Sequence, residues 1–242
     1  EGAKDAASSP SLDDRSDTDN AARFIELHGD ILRYIPKWRR WLVFSREKAR
    51  WAIDHADVEV RELAKDVGRS LKNEFVNVQD DLTKFASFIQ KALSKNGITA
   101  MVDLARGVEG IPLDHEDLDS DGWTLGVENG VVDLDTGKLR GADPADLMTK
   151  QCPVRFDEDA HCPRFEQAME EWFPDEEVRR YVQRVAGSAL VGFQRDHVFI
   201  IHYGGGRNGK GTFVRALQHA LGPYARVIHL SLLVHSKGSQ HD

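Results

Sequence analysis

His197-Val198-Phe199-Ile200-Ile201-His202-Tyr203 runs directly into Gly204-Gly205-Gly206-Arg207-Asn208-Gly209-Lys210-Gly211-Thr212, and then into Phe213-Val214-Arg215-Ala216-Leu217-Gln218-His219-Ala220-Leu221 before Gly222-Pro223. The first segment is an unbroken apolar run, the pattern of a strand buried on both faces. The last is a helix stopped by Gly-Pro. Between them lies GxxxxGK, the layout of a phosphate-binding loop. Glycines let successive backbone N–H groups curl round phosphate oxygens with no Cβ in the way. The helix N-terminus adds partial positive charge, and the Lys210 ammonium reaches the β and γ phosphates. The hydroxyl that usually follows the lysine as a Mg²⁺ ligand is replaced by Gly211, with Thr212 one place later. Residues 204–212 are therefore the expected nucleotide-binding residues, and Thr212 is the candidate for Mg²⁺.

Upstream of this loop the patterns are mixed. Residues 1–20 hold no aromatic residue and one leucine, too little apolar surface to offset chain entropy, so an acidic disordered tail is expected there. Asn20 opens a short helical pattern ending at Gly29. Leu32–Pro36 and Trp41–Phe44 read as a hairpin about the turn 37–40, with Arg50-Trp51 as a further strand. Between Arg33 and Arg50 seven basic residues face one acid, Glu47. Basic residues interleaved with Tyr34, Trp38, Trp41 and Trp51 fit either contacts to single-stranded DNA or an aromatic minicore under solvated charges, and the minicore is the favoured reading.

From Val58 to Leu93, apolar residues recur at steps of three and four, which predicts one or two amphipathic helices. Another follows from Ile98 to Ala105, after a break at Asn96-Gly97. Packing on neighbouring subunits, or on the DNA-entry side of a ring of them, is the expected use of the helical region from Val58 to Ala105. A second hairpin is predicted over 125–140, turning at Asp135-Thr136-Gly137-Lys138. A strand is expected over Lys150–Phe156, and two helices after Cys162-Pro163 and Pro174-Asp175.

The chain's 242 residues, 40% apolar and 30% charged, are enough for one large or two small domains. Five tryptophans argue against wholesale disorder, and a net charge of −8 does not exclude nucleic acid, because affinity follows local patches. No run has the length of a membrane span, and no secretory signal opens the chain. With Cys152 and Cys162 alone, a disulfide framework is excluded and a cytoplasmic location is expected. Those cysteines with His161 fall short of zinc-ligand spacing. Asp117/Asp119 and Asp133/Asp135 match an Asp-x-Asp metal spacing, but turn chemistry favours loop carboxylates at both.

From about Ala22 onward the chain resembles the C-terminal half of phage and plasmid primase–helicases, related to the poxvirus primase–helicase. The matching pieces are Arg23-Phe24 with His28-Gly29-Asp30, Leu32-Arg33-Tyr34, Trp41-Leu42-Val43, Asn129 to Leu134 with Thr136-Gly137, Thr149-Lys150-Gln151, Cys162 to Phe165, and Gly206 to Phe213. The resemblance implies a helicase-associated α+β domain over 21–195, followed from 196 to 242 by the start of an α/β AAA+-like P-loop ATPase of superfamily III. It also implies ATP with Mg²⁺, homo-hexameric rings on single-stranded or forked DNA, and ATP-driven unwinding in DNA replication in a bacterial host. The second acidic motif, polar sensor and arginine finger of that family are not found after Lys210, so the ATPase domain is expected to be incomplete here and no catalytic residue is assigned. A nucleoside monophosphate kinase is set aside because the loop comes late. The alternative is a non-catalytic DNA-binding or loading module with a vestigial P-loop.

Overall fold

The computed structural model describes residues 16–74, 82–193, 197–229 and 231. It is an α+β arrangement of two compact units. One comprises the chain up to Ser45 with Trp51–Leu118, the other Arg46–Arg50 with the chain from Asp119 onward. The segment 21–195, expected as one domain, thus contributes to both.

In the first unit, helix α1 (Asp17–His28) starts earlier than its apolar pattern does. Ser16 Oγ accepts from Asp19 N at 3.1 Å while the Asp19 carboxylate accepts from Ser16 N at 2.8 Å, a reciprocal capping box. Residues 17–20 are therefore helical rather than tail, and 1–15 lie outside the described residues. The hairpin forms as expected from β1 (Leu32–Ile35) and β2 (Arg40–Ser45), antiparallel with Leu32 opposite Val43, and β3 (Arg50–Ile53) completes the sheet in the order β1-β2-β3.

Helix α2 (Val58–Glu74) is held at its start by Asp54, whose two carboxylate oxygens accept from Val58 N and Val60 N. It buries Val60, Ala64, Val67 and Leu71, one stripe at three- and four-residue steps. Helix α3 (Leu82–Ala92) adds Phe85 and Ile89. Helix α4 (Lys95–Ala105) begins before the expected break, because Ser94 Oγ accepts from Gly97 N and draws Asn96-Gly97 into the first turn. These stripes meet Phe24, Leu32, Trp41 and Ile111 in one core. Helices α2, α3 and α4 bury these stripes inside their own unit rather than on neighbouring subunits.

The second unit is built on β4 (Thr124–Val127), β5 (Gly130–Asp133) and β6 (Lys138–Arg140), a meander with Thr124 opposite Asp133 and Val131 opposite Arg140. Its small core of Leu125, Val127, Val132 and Cys152 is covered by Leu190, Leu221 and Tyr224. The strand expected over Lys150–Phe156 is reduced to a single parallel bridge between Val127 and Cys152. Pro153 follows at once and has no N–H to continue a ladder. Helices α5 (Pro163–Trp172), α6 (Glu176–Ser188) and α7 (Lys210–Leu221) complete the unit.

The run His197–Tyr203 is not a strand. It is exposed throughout, with Phe199 and Ile201 at 75% and Tyr203 at 96%. A strand needs a hydrogen-bonding neighbour, and burial on both faces needs elements packed over each; among the described residues no strand pairs with this run.

Candidate nucleotide-phosphate site

The loop at 204–209 is shaped by backbone conformations that favour glycine. Gly206 and Gly209 have φ of +88° and +81°, with Arg207 between them also left-handed at +50°. Gly206 N donates to Gly204 O at 2.9 Å, closing the first bend. Helix α7 then begins at Lys210 with Gly209 as its N-cap and no side chain capping it. Its first-turn N–H groups have no acceptor within the helix, the condition under which a helix N-terminus receives an anion.

Lys210 folds back over the loop it ends. Its Nζ donates to Asn208 Oδ1 at 2.5 Å and to Gly204 O at 3.2 Å. Both are neutral acceptors, weaker than a phosphate oxygen for an ammonium. Gly205 and Gly206 have open space where a Cβ would project, and Gly211 and Thr212 are exposed on the first turn. Left-handed glycines, an uncapped helix start and a loop-held ammonium fit a polyphosphate. The residues expected at 204–212 are thus contiguous around one loop. The exposed Thr212 hydroxyl is the candidate at this turn for a divalent cation.

Sequence reading alone misses the support beneath the loop. A Cβ on Gly209 would lie 2.3–2.4 Å from the Trp172 indole, so the end of α5 is pressed against the last glycine before Lys210. Next to it, Phe173 packs edge-on against Phe213 with ring centroids 6.2 Å apart, and His202 approaches the other side of Phe213 at 6.0 Å. Phe213 is the buried residue of α7. In the sequence, only the aromatic pair ending α5 signals this.

The other candidates resolve into structure. Asp133 Oδ1 accepts from Asp135 N, Thr136 N and Thr136 Oγ1, which makes it the organiser of the β5–β6 turn. The Thr136 backbone N–H, then its hydroxyl, hold the Asp133 carboxyl below the usual carboxylate range. Asp119 is not a solvated loop acid. It accepts from Thr149 N at 2.7 Å, Thr149 Oγ1 at 2.5 Å and Lys150 N at 3.3 Å, and pairs with Lys150 Nζ at 3.4 Å. Cys152 is buried and Cys162 exposed, both free, and no cluster of three or more His, Cys, Asp or Glu suited to a metal occurs among the described residues.

In the basic hairpin, Trp41 and Trp51 are fully buried and Tyr34 packs edge-on against Trp41 at 5.3 Å, the minicore that was favoured. Arg33 lies over the Trp51 ring at 5.3 Å and donates to Gly29 O and Leu32 O. Trp38 is the exception, 40% exposed at the turn.

Among the described residues no helix is long and apolar enough to cross a membrane. A family profile described as "D5 N terminal like" matches residues 21–174, more than half of the chain. The chain is 28% identical over 173 residues to "Putative helicase L207/L206" of Acanthamoeba polyphaga mimivirus, covering 69% of this chain and 18% of that protein. It is 27% identical over 149 residues to "Putative helicase 121R" of Invertebrate iridescent virus 3, covering 59% and 15%. The chain therefore spans less than a fifth of the length of these curated relatives.

Proposed function

The chain belongs to the D5 N-terminal-like family, and from that premise we propose that it is part of a phage, prophage or other viral ATP-dependent DNA helicase of the primase–helicase type, acting in DNA replication. The helicase names of two viral relatives support the class. The observation that carries the nucleotide part is the position of Lys210 Nζ, inside a glycine-built loop at the uncapped start of α7.

In this reading the backbone N–H groups of 204–212 receive the ATP phosphates and Lys210 exchanges Asn208 Oδ1 and Gly204 O for phosphate oxygens. Thr212, in place of the hydroxyl missing at Gly211, holds Mg²⁺. ATP supplies a phosphoanhydride whose cleavage releases free energy for strand separation, and the loop's own contribution is binding and orientation. The working assembly proposed is a homo-hexamer on single-stranded or forked DNA in the host cytoplasm.

Titration of a fluorescent ATP analogue in the presence of Mg²⁺ tests this. Lys210→Ala is expected to weaken binding at least tenfold, and Thr212→Val to reduce only the Mg²⁺-dependent part. A second reading draws on Gly211, which removes the usual metal hydroxyl: a non-catalytic DNA-binding or loading module with a vestigial loop. DNA binding by a chain that shows no nucleotide binding, or whose nucleotide binding is not weakened by Lys210→Ala, establishes that reading instead.

A further inference from the structure

The turn joining β1 to β2 presents Pro36, Lys37, Trp38, Arg39 and Arg40, all exposed. Trp41, one residue on, is fully buried. An exposed tryptophan there does nothing for that core. Its one ring neighbour among the described residues is His115, edge-on with centroids 5.7 Å apart. That imidazole is itself fixed, receiving Lys37 Nζ on Nε2 at 2.8 Å while Nδ1–H donates to Asp114 Oδ1 at 2.6 Å.

Charge around the ring is also sorted. The acids of the adjoining cavity, Asp114 and Glu116, lie with Lys37 and His115. The Asp114 carboxylate is already engaged by Glu116 N at 3.1 Å and by His115. Arg39 and Arg40, which follow Trp38 in the chain, are exposed and have no side-chain hydrogen bond or ion pair among the described residues. Arg39 reaches its place through a left-handed φ of +54°. A tryptophan buttressed along one edge, flanked by two uncompensated guanidinium groups, is the composition of a stacking platform for an unpaired base with phosphate contacts beside it.

We infer that the β1–β2 turn is a binding surface for single-stranded nucleic acid, with one base stacked on Trp38 and the flanking phosphates held by Arg39 and Arg40. This deepens the helicase reading and rests on it for the class of ligand. It is separate from the phosphate loop in residues and in chemistry. A duplex is a poor ligand because its interior bases are already stacked and paired.

The test is fluorescence anisotropy of the full chain with labelled oligothymidylate, oligouridylate and a blunt duplex over a salt series without nucleotide. Trp38→Ala is expected to weaken oligothymidylate binding about tenfold, and Trp38→Phe to restore most of it. Arg39→Gln with Arg40→Gln is expected to lower the slope of log affinity against log salt by about one to two. Near-UV circular dichroism carried by Trp41 and Trp51 checks that the core is intact. Equal binding of oligouridylate keeps the inference, since stacking uses the face of any base, and a preference for thymidylate assigns DNA. Binding unchanged by Trp38→Ala, a duplex held as tightly as a single strand, or no binding by the parent chain at low salt overturns it. The series contains no nucleotide and Trp38, Arg39 and Arg40 lie outside the 204–212 loop, so failure here and failure of the nucleotide reading, which is read from binding of the ATP analogue, are separable.

Discussion

Helix α4 and helices α5 and α6 are all amphipathic, yet they end very differently. Helix α4 buries Ile98, Met101, Val102 and Ala105 against α1 and α2. Helices α5 and α6 bury no residue among those described, and with α7 they leave an apolar hollow of about 460 Å³ lined by Phe165, Met169, Val182, Ala186, Phe213 and Leu217. Hydrophobic periodicity states which face a helix offers to a partner. Whether that face is covered depends on residues distant in sequence. The first unit is thus a closed core, whereas the region around the 204–212 loop is a set of local elements, of which α6 alone has a side-chain cap, joined by a few specific contacts.

Substitutions can break this contrast. The largest effect belongs to the closed core. Trp41→Ala, at a residue with no exposed surface, is expected to cost about 3–5 kcal/mol in urea unfolding. Trp41→Phe is expected to cost much less, since the indole Nε1 has no hydrogen-bond partner and its loss leaves no acceptor unpaired. A cost below about 1 kcal/mol for Trp41→Ala would contradict a closed core.

In the second unit the largest effect falls on a polar clamp instead. Asp119→Ala leaves Thr149 N and Thr149 Oγ1 without their acceptor and is expected to cost about 2–3 kcal/mol in the same measurement. Asp119→Asn is expected to recover part of that loss, because one amide oxygen can still accept.

Gly209→Ala sharpens the comparison at the loop itself. The left-handed φ costs an alanine about 1–2 kcal/mol, and the new methyl meets the Trp172 indole. Nucleotide affinity is expected to fall, with hydrogen exchange in α2 and α4 unchanged. Combining it with Trp172→Ala relieves the contact but not the φ, so partial recovery is expected.

The smallest effect is at Tyr224, whose Oη donates to Lys150 O at 3.0 Å and accepts from Gly126 N at 3.1 Å. Tyr224→Phe is expected to cost about 1 kcal/mol near neutral pH. Burial pushes this phenol up from 10.0 to about 12. Because the folded value is the higher one, its contribution is complete below pH 10 and lost as pH rises towards 12. Thermal melts over that interval should therefore fall more steeply for the parent chain than for Tyr224→Phe.

Much of the fold is legible in the sequence. Both hairpins form where short apolar runs flank turn residues, and the turn at Asp135-Thr136-Gly137 is held by Asp133. Helix starts were harder to place. Ser16 with Asp19, and Ser94 with Gly97, carry α1 and α4 beyond their apolar patterns, because capping is set by side-chain oxygens rather than by hydrophobic spacing. Lys150–Phe156 and His197–Tyr203 have strand composition without becoming strands, since a strand is completed only by a neighbour's N–H and C=O groups. Of the candidate site, the loop residues 204–212 were legible as a motif. Asp119 closing on Thr149 and Trp172 supporting Gly209 were not, because neither contact leaves a local pattern.

What the sequence by itself determined is therefore local and short-ranged. It placed the helices and hairpins, the apolar stripe of each, and a glycine loop ending in Lys210, because helix periodicity, turn chemistry and backbone freedom act within a few residues. Tertiary structure decided which stripes are covered, which tryptophans are core and which one, Trp38, is left at the surface. It also decided what stands beneath the loop. Burial and side-chain contact are set by whichever distant residues the chain brings together, and no window of sequence contains both partners.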